Sequence, residues 1–200
     1  MQSQNIVLVG APLDCGKARK GCLMGPDAYR TAGISRALTD LGHRVSDLGD
    51  VVPDDNHIAE RVGLVNLSET IGWTTALMRT AQDAMRQGLP IFLGGDHALS
   101  LGTVPGVAAH AAQDGRPQFV LWLDAHSDFN TLETTGSGNL HGTPLAYATG
   151  QSGFGGFPPL PAAVPAHQTC IIGLRSVDLP ERTLMERTDI RGYDMRAIDE

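Results

Sequence analysis

The sequence predicts a three-layer α/β/α fold with a mainly parallel sheet. Three observations predict it. Short aliphatic runs recur along the chain: IVLVG, LPIFLGG, QFVLWL and TCIIGL. Segments with helical spacing of apolar residues separate them. The runs are apolar without alternation, as strands are when helices cover both faces of a parallel sheet. The 200 residues suffice for one sizeable domain with a continuous core, and 42% hydrophobic against 18% charged residues is a globular composition. Aromatic residues are only 5%, so aliphatic side chains and alanine must build most of the core.

Each element follows in order. Residues 6–10 (IVLVG) read as a strand ending in the loop APLDCGKARKGCLMGP, which Gly and Pro punctuate. Residues 27–41 read as a helix with Ala28, Ala32, Leu38 and Leu41 on its apolar face and Gly42 as its stop. Residues 44–48 read as a short strand. Residues 58–86 have helical spacing through Leu64, Leu67, Ile71, Leu77, Met78 and Met85, with Gly72 and Thr74 as points of interruption. A strand at 89–95, a helix at 99–112 and strands at 119–123 and 169–174 complete the alternation. Residues 152–165, rich in Gly, Pro and Ala, read as a loop over the domain. No internal repeat is visible.

Composition narrows the function classes. Fifteen basic and 22 acidic side chains give a net charge of −7 with no basic block, which argues against nucleic acid or an anionic membrane surface as partner. No window approaches the ~20 apolar residues of a spanning helix. The first residues, MQSQNIVLVGAPLD, lack the basic-then-apolar pattern of a signal peptide. Cys15, Cys22 and Cys170 are an odd number without metal-knuckle spacing, so a reducing compartment is expected and the thiols should pack as small apolar groups. Together these features predict a cytoplasmic protein.

In parallel sheets ligands gather beyond the C-terminal ends of strands, and that is where the unusual polar groups stand. GGDHALSLGT places His97 after LPIFL, DAHSDFN places Asp124, His126 and Asp128 after FVLWL, and IGLRSVD places Asp178 after TCIIGL. If strand conformation persists, Asp124, His126 and Asp128 share one face. Buried unpaired carboxylates cost several kcal/mol, so a metal ion is the economical neutraliser. Carboxylate oxygen with imidazole nitrogen suits Mn, Fe, Zn or Ni better than Ca. A bridging Asp can pair two ions ~3.5–4 Å apart and so turn water into a hydroxide nucleophile. A lone His97 or strand-end Asp is more often a structural or capping group than a ligand, but the D-x-H-x-D spacing favours metal. Asp96 reads as a cap or as a group supporting the ligands. In TLETTGSGNLHGTPLA, Asn139 reads as the N-cap of a helix containing Leu140, Leu145 and Ala146, and His141 is a candidate proton shuttle.

In order and spacing, GGDH, DAHSDFN, SGNLHG and IGLRSVD resemble the ureohydrolase family, and within it the arginase branch, from Val9 to about Asp199. GGDH and DAHSD mark the superfamily, whereas SGNLHG is similar to the loop that holds an α-amino acid carboxylate. The resemblance implies an arginase-like α/β domain over residues 1–200. It implies two Mn²⁺ ions, one on His97, Asp124 and Asp128, the other on Asp124 and His126, with Asp124 bridging. It implies His141 as proton shuttle, Asn130, Ser137 and Asn139 at the substrate carboxylate, and Asp178, assisted by Glu181, at the α-amino group. The implied reaction is hydrolysis of L-arginine to L-ornithine and urea through a metal-bridging hydroxide, by a homo-oligomer.

The family's third metal motif, S-F-D-V-D-x-x-D-P, does not occur in these 200 residues; ERTDIRGYDMRAIDE lacks its spacing. The chain is therefore expected to be the N-terminal part of such a domain, with further metal ligands beyond residue 200, and to bind Mn²⁺ weakly and hydrolyse little by itself. Two other readings stand beside this one. The first is another ureohydrolase of agmatinase, guanidinobutyrase or formiminoglutamase type; the second is a truncated, non-catalytic binding or assembly protein.

Overall fold

The computed structural model describes residues 2–199. β1 (Asn5–Ala11) is flanked by β2 (Arg44–Asp50) and β3 (Leu89–Gly94), all parallel, in the order β2-β1-β3. β4 (Val120–Leu123), β5 (Thr169–Leu174) and β6 (Arg191–Asp194) form a second parallel sheet in that order. The parallel α/β architecture is as the sequence predicts, but the strands fall into two three-stranded sheets. Within the described residues β3 and β4 are edges that pair only with β1 and β5.

β1 is central because its aliphatic run can be covered on both faces: Val7, Leu8 and Val9 are essentially inaccessible. The principal core joins Ala11, Leu13, Ile71, Leu77, Leu101 and Leu140, so helices and the loop after β1 pack into one cluster. A second cluster forms around Trp122, Phe129, Leu145 and Ile171. Leu140 of the first cluster and Phe129 of the second belong to the polar loops themselves, so each loop is tied to a core.

Three helical expectations are corrected. The helix expected at 27–41 is two, α1 (Gly25–Thr31) and α2 (Ile34–Asp40), broken at Gly33, whose φ of 86° a side chain would resist. Its expected apolar face is not a core face, since Ala28, Ala32 and Leu41 are exposed. The helix expected from residue 58 begins later, as α3 (Leu67–Gln87), and runs unbroken through Gly72 and Thr74. The irregular stretch before it supplies the missing cap: Leu67 and Ser68 donate their N–H groups to the Glu60 carboxylate at 2.9 and 3.1 Å. Asn139 does not cap the following turn; a 3₁₀ turn (Leu140–Gly142) leads into α5 (Pro144–Ala148).

α4 (Ser100–Gln113) follows β3, and α6 (Leu179–Met185) and α7 (Met195–Asp199) follow β5 and β6. The expected loop at 152–165 is irregular throughout. Cys15 is buried in the core, as expected of an apolar packing role, while Cys22 and Cys170 are half-buried; all three are free thiols. No described helix is long and apolar enough to cross a membrane.

Candidate metal centre

The ligand candidates sit on the loops that leave β3 and β4. Asp96 ends the β3 loop, and its carboxylate accepts the N–H groups of Ala98 and Gly16, each at 2.9 Å. Asp96 is therefore the cap that the sequence suggested. It fixes the turn carrying His97, and burial raises its pKa against the pull of those two N–H donors. The His97 ring stacks on Trp122 of β4 at 4.5 Å between centroids, so one loop is keyed to the neighbouring strand.

DAHSDFN does not continue β4 as an extended strand, and the shared strand face expected of its three polar residues is absent. The segment bends after Leu123, and His126 rejoins the sheet only through an isolated parallel bridge to Ser176. The bend brings Asp128 to the same place by another route. Asp128 adopts a φ of 46°, and its carbonyl accepts the N–H groups of Leu145 and Ala146 at 3.0 and 3.3 Å. The carboxylate is thereby fixed from the α5 side.

His97 Nδ1 lies 3.0 Å from Asp124 Oδ2 and 2.7 Å from Asp128 Oδ2. One ligand atom from each of His97, Asp124 and Asp128 lies within 4.8 Å of the others. Despite the 2.7 Å approach, Asp128 Oδ2 is buried without a partner in hydrogen-bond geometry; closeness alone does not satisfy a carboxylate. An unsatisfied buried oxygen, a second carboxylate and an imidazole at one point form a donor set that fits a divalent transition metal. His126 stands beside this trio, its Nδ1 3.3 Å from Asp124 Oδ1, which also accepts the His126 N–H at 2.9 Å. Asp124 thus lies between the two histidines, as a bridging ligand would.

The electrostatics agree with this arrangement. Burial opposes protonation of His97, but Asp128 and Asp124 override it and hold the imidazole pKa above its ordinary value. Burial also works to raise Asp124, yet the His126 N–H and the His97 charge keep its carboxyl below the usual range. His141 is shifted the other way: burial depresses its pKa, with Asp96 and Asp128 opposing. That shift favours the neutral ring.

The remaining candidates surround the cluster. Asn130 donates its amide to Asp178 Oδ2 at 2.9 Å and accepts from the Thr134 hydroxyl at 2.8 Å. Asp178 caps α6 in a reciprocal box with Glu181. Both Glu181 oxygens are engaged, Oε1 by the Phe129 N–H at 3.1 Å and Oε2 by the Asp178 N–H at 3.0 Å. Asn139 Oδ1 accepts the Ala18 N–H at 3.0 Å, and the Asn139 N–H reaches Ser137 Oγ at 3.2 Å.

The ten residues expected to bind metal or substrate or to shuttle the proton line one cavity of about 300 Å³, joined by Thr135, Gly142 and Ser176. Sequence reasoning missed these three. Thr135 stood inside the quoted loop, but Ser176 is signalled only by its bridge to His126. A larger open groove of about 1180 Å³ lies beyond Asp178, between α6 and β6. The His/Asp cluster lines the smaller cavity.

Comparison with known proteins shows the family. The model of the Arginase family matches residues 4–200. An arginase of Brucella melitensis is 52% identical over 196 residues, covering 96% of this chain and 64% of that protein. The structure of an arginase from Bacillus caldovelox aligns with a TM-score of 0.82 at 33% identity, covering 98% of this chain and 66% of that one. An Entamoeba histolytica arginase solved in complex with L-ornithine aligns with a TM-score of 0.82 at 26% identity, covering 100% of this chain and 68% of that one. The chain spans somewhat under two thirds of the length of curated relatives such as the Brucella melitensis arginase.

Proposed function

The chain belongs to the arginase family, and from that premise we propose that it is the ligand-bearing part of a hydrolase splitting L-arginine into L-ornithine and urea with two Mn²⁺ ions. The convergence of His97, Asp124 and Asp128 around an unsatisfied buried oxygen carries this reading. When bound, the ions supply Lewis acidity and lower the pKa of water toward neutrality. His97, Asp124 and Asp128 would hold one ion, and Asp124 and His126 would hold the other. These sets are short of a full coordination shell, and the family's third aspartate motif is expected to complete them.

The chain's own residues orient the substrate. The cluster carboxylates attract the cationic guanidinium into the cavity. Asn130, Ser137 and Asn139 offer donors to the α-carboxylate, and Asp178 faces the α-amino group while Glu181 fixes its position. The L-ornithine complex of the Entamoeba relative supports an amino acid at this cavity. His141, held neutral by burial, takes up a proton and delivers it to the departing amine. We extend the proposal to a cytoplasmic homo-oligomer; the free thiols support a reducing compartment.

Metal analysis and a urea-release assay on the full-length protein test the reading. Two equivalents of Mn²⁺ and turnover of L-arginine, with little on agmatine, are expected. Equal turnover of agmatine would overturn the carboxylate contacts, and activity unchanged after complete metal removal would overturn the metal centre. Light scattering of the same sample gives the subunit number.

A further inference from the structure

The loop between β1 and α1 holds a pair of side chains that the reaction does not use. Lys17 Nζ lies 2.8 Å from Cys22 Sγ. Sulfur is larger than oxygen, so its hydrogen bonds are ordinarily longer than the ~2.9–3.0 Å usual for N–H···O. A separation of 2.8 Å is instead close to the span of two atoms joined through one shared oxygen. The loop is folded to hold the pair in place. The Asp14 carboxylate accepts the N–H groups of Gly21 and Cys22 at 2.6 and 3.3 Å, and Lys20 Nζ donates to the Asp14 carbonyl. Lys17 and Cys22 are both half-buried, which leaves them open to a small oxidant.

We propose that Lys17 and Cys22 are a covalent modification site, closed by hydrogen peroxide into an N–O–S crosslink within the loop between β1 and α1. Two equivalents of peroxide are consumed. In the first step the Cys22 sulfur attacks one peroxide oxygen; the O–O bond breaks, a sulfenic acid forms and water leaves. In the second step the neutral Lys17 amine takes an oxygen from another peroxide, giving a hydroxylamine and water. The hydroxylamine oxygen then displaces the sulfenic hydroxyl from sulfur, forming the O–S bond and releasing a third water. Sulfur and nitrogen are each oxidised by two electrons, and the two peroxides are reduced by the same four. Overall the protein gains one oxygen and loses two hydrogens.

The surroundings favour this order of events. Cys22 is the main reason that the Lys17 pKa is held up. Oxidising the sulfur removes that hold and frees the amine for the second step. Cys15 has no such partner: it is fully buried, the Thr70 hydroxyl lies 3.5 Å away, and burial pushes its thiol up to about 12. It serves as an internal standard that stays reduced.

Closure would act on the site through the residues flanking Lys17. The Gly16 carbonyl accepts the His141 N–H at 2.9 Å, and the Ala18 N–H donates to Asn139 Oδ1 at 3.0 Å. The crosslink therefore anchors the stretch of loop bonded to His141 and Asn139, and it removes a cation whose charge reaches His141.

Graded peroxide treatment of the purified chain, followed by tryptic mass mapping before and after thiol reduction, tests the proposal. Trypsin no longer cuts after Lys17 once its amine is bridged. The expected product is residues 1–19 joined to residues 21–30, heavier than the unlinked pair by one oxygen less two hydrogens, and released by dithiothreitol. Cys22→Ser abolishes it. Lys17→Arg keeps the charge and the cleavage site but leaves Cys22 to advance to sulfinic acid. The proposal is overturned if wild-type Cys22 is oxidised while cleavage after Lys17 is undiminished. It is also overturned if the linked pair has lost two hydrogens without gaining oxygen, or if Lys17→Arg gives the same linked mass.

Discussion

Asp128 combines two costs in one residue. Its φ of 46° is a left-handed conformation that only short polar side chains and glycine adopt readily, and its Oδ2 is buried without a hydrogen-bond partner. A cation on that oxygen would offset both. Asp128→Asn keeps the shape and the tolerance for left-handed backbone but removes the charge. Above the raised His97 pKa, where the pairing of Asp128 with that imidazole no longer contributes, the metal-free variant should melt at the same temperature as the wild type or about 2–4 °C higher, a shift worth roughly 1 kcal/mol in a chain of this size. Its metal affinity should fall by more than the about 10–100-fold that loss of an outer partner costs. Calorimetric Mn²⁺ titration beside thermal melts checks both signs, and unchanged affinity would remove Asp128 from the ligand set. At this scale the sequence was informative because D-x-H-x-D and GGDH follow aliphatic runs, so that strand ends alone bring them together. The route was not legible. An extended strand end would align Asp124, His126 and Asp128, whereas the chain turns and the N–H groups of Leu145 and Ala146 set Asp128 in place. The clamp of Glu181 on Phe129 and Asp178 was equally hidden, because it depends on two segments about 50 residues apart.

Among the elements, strands were legible and helix ends were not, for a physical reason. A buried strand needs only a short run of aliphatic side chains, and β1, β3 and β5 lie on such runs. Helix limits depend on partners that the local sequence does not name, such as Glu60 capping α3 from seven residues upstream. Helix contact depends on backbone proximity in the same way. α4 crosses α3 at Gly106, where a Cβ would lie 2.4 Å from the Met78 carbonyl oxygen and 2.6 Å from Ala81 Cβ. In a free helix Gly→Ala gains about 1 kcal/mol, while overpacking costs about 1–3 kcal/mol. The contact with a backbone oxygen leaves little room to relax, so the clash should win. Gly106→Ala is expected to lower stability by up to about 2 kcal/mol in urea denaturation. A stabilised variant would show that α4 can shift away from α3 at no cost.

Across the whole molecule, the two sheets present a consequence that no single element shows. The sequence reading treated FVLWL as a strand covered on both faces, but only Trp122 of β4 is buried; Leu121 and Leu123 are 60% and 72% exposed. Phe119, just before β4, and Leu89, at the start of β3, are exposed as well. β3 and β4 also carry unpaired backbone edges among the described residues. An apolar strand with a free edge is a template for pairing with another chain. The net charge of −7 opposes close approach, but it is spread over a surface whose acidic groups near β2 and α1 are already paired with Arg30, and salt screens it beyond about 8–10 Å. Burial of the leucine side chains, each worth about 1.5–3 kcal/mol when fully covered, should prevail at high concentration. The 200-residue chain is therefore expected to self-associate as its concentration rises, with the effect strengthened by salt. Replacing Leu121 and Leu123 by Lys puts charge on that edge without touching the buried core and should keep the chain monomeric. Sedimentation velocity at two salt concentrations decides between the outcomes: wild type and variant that sediment alike at every concentration would mean that the β4 edge is not the sticky surface, and that these leucines are too dispersed to drive association.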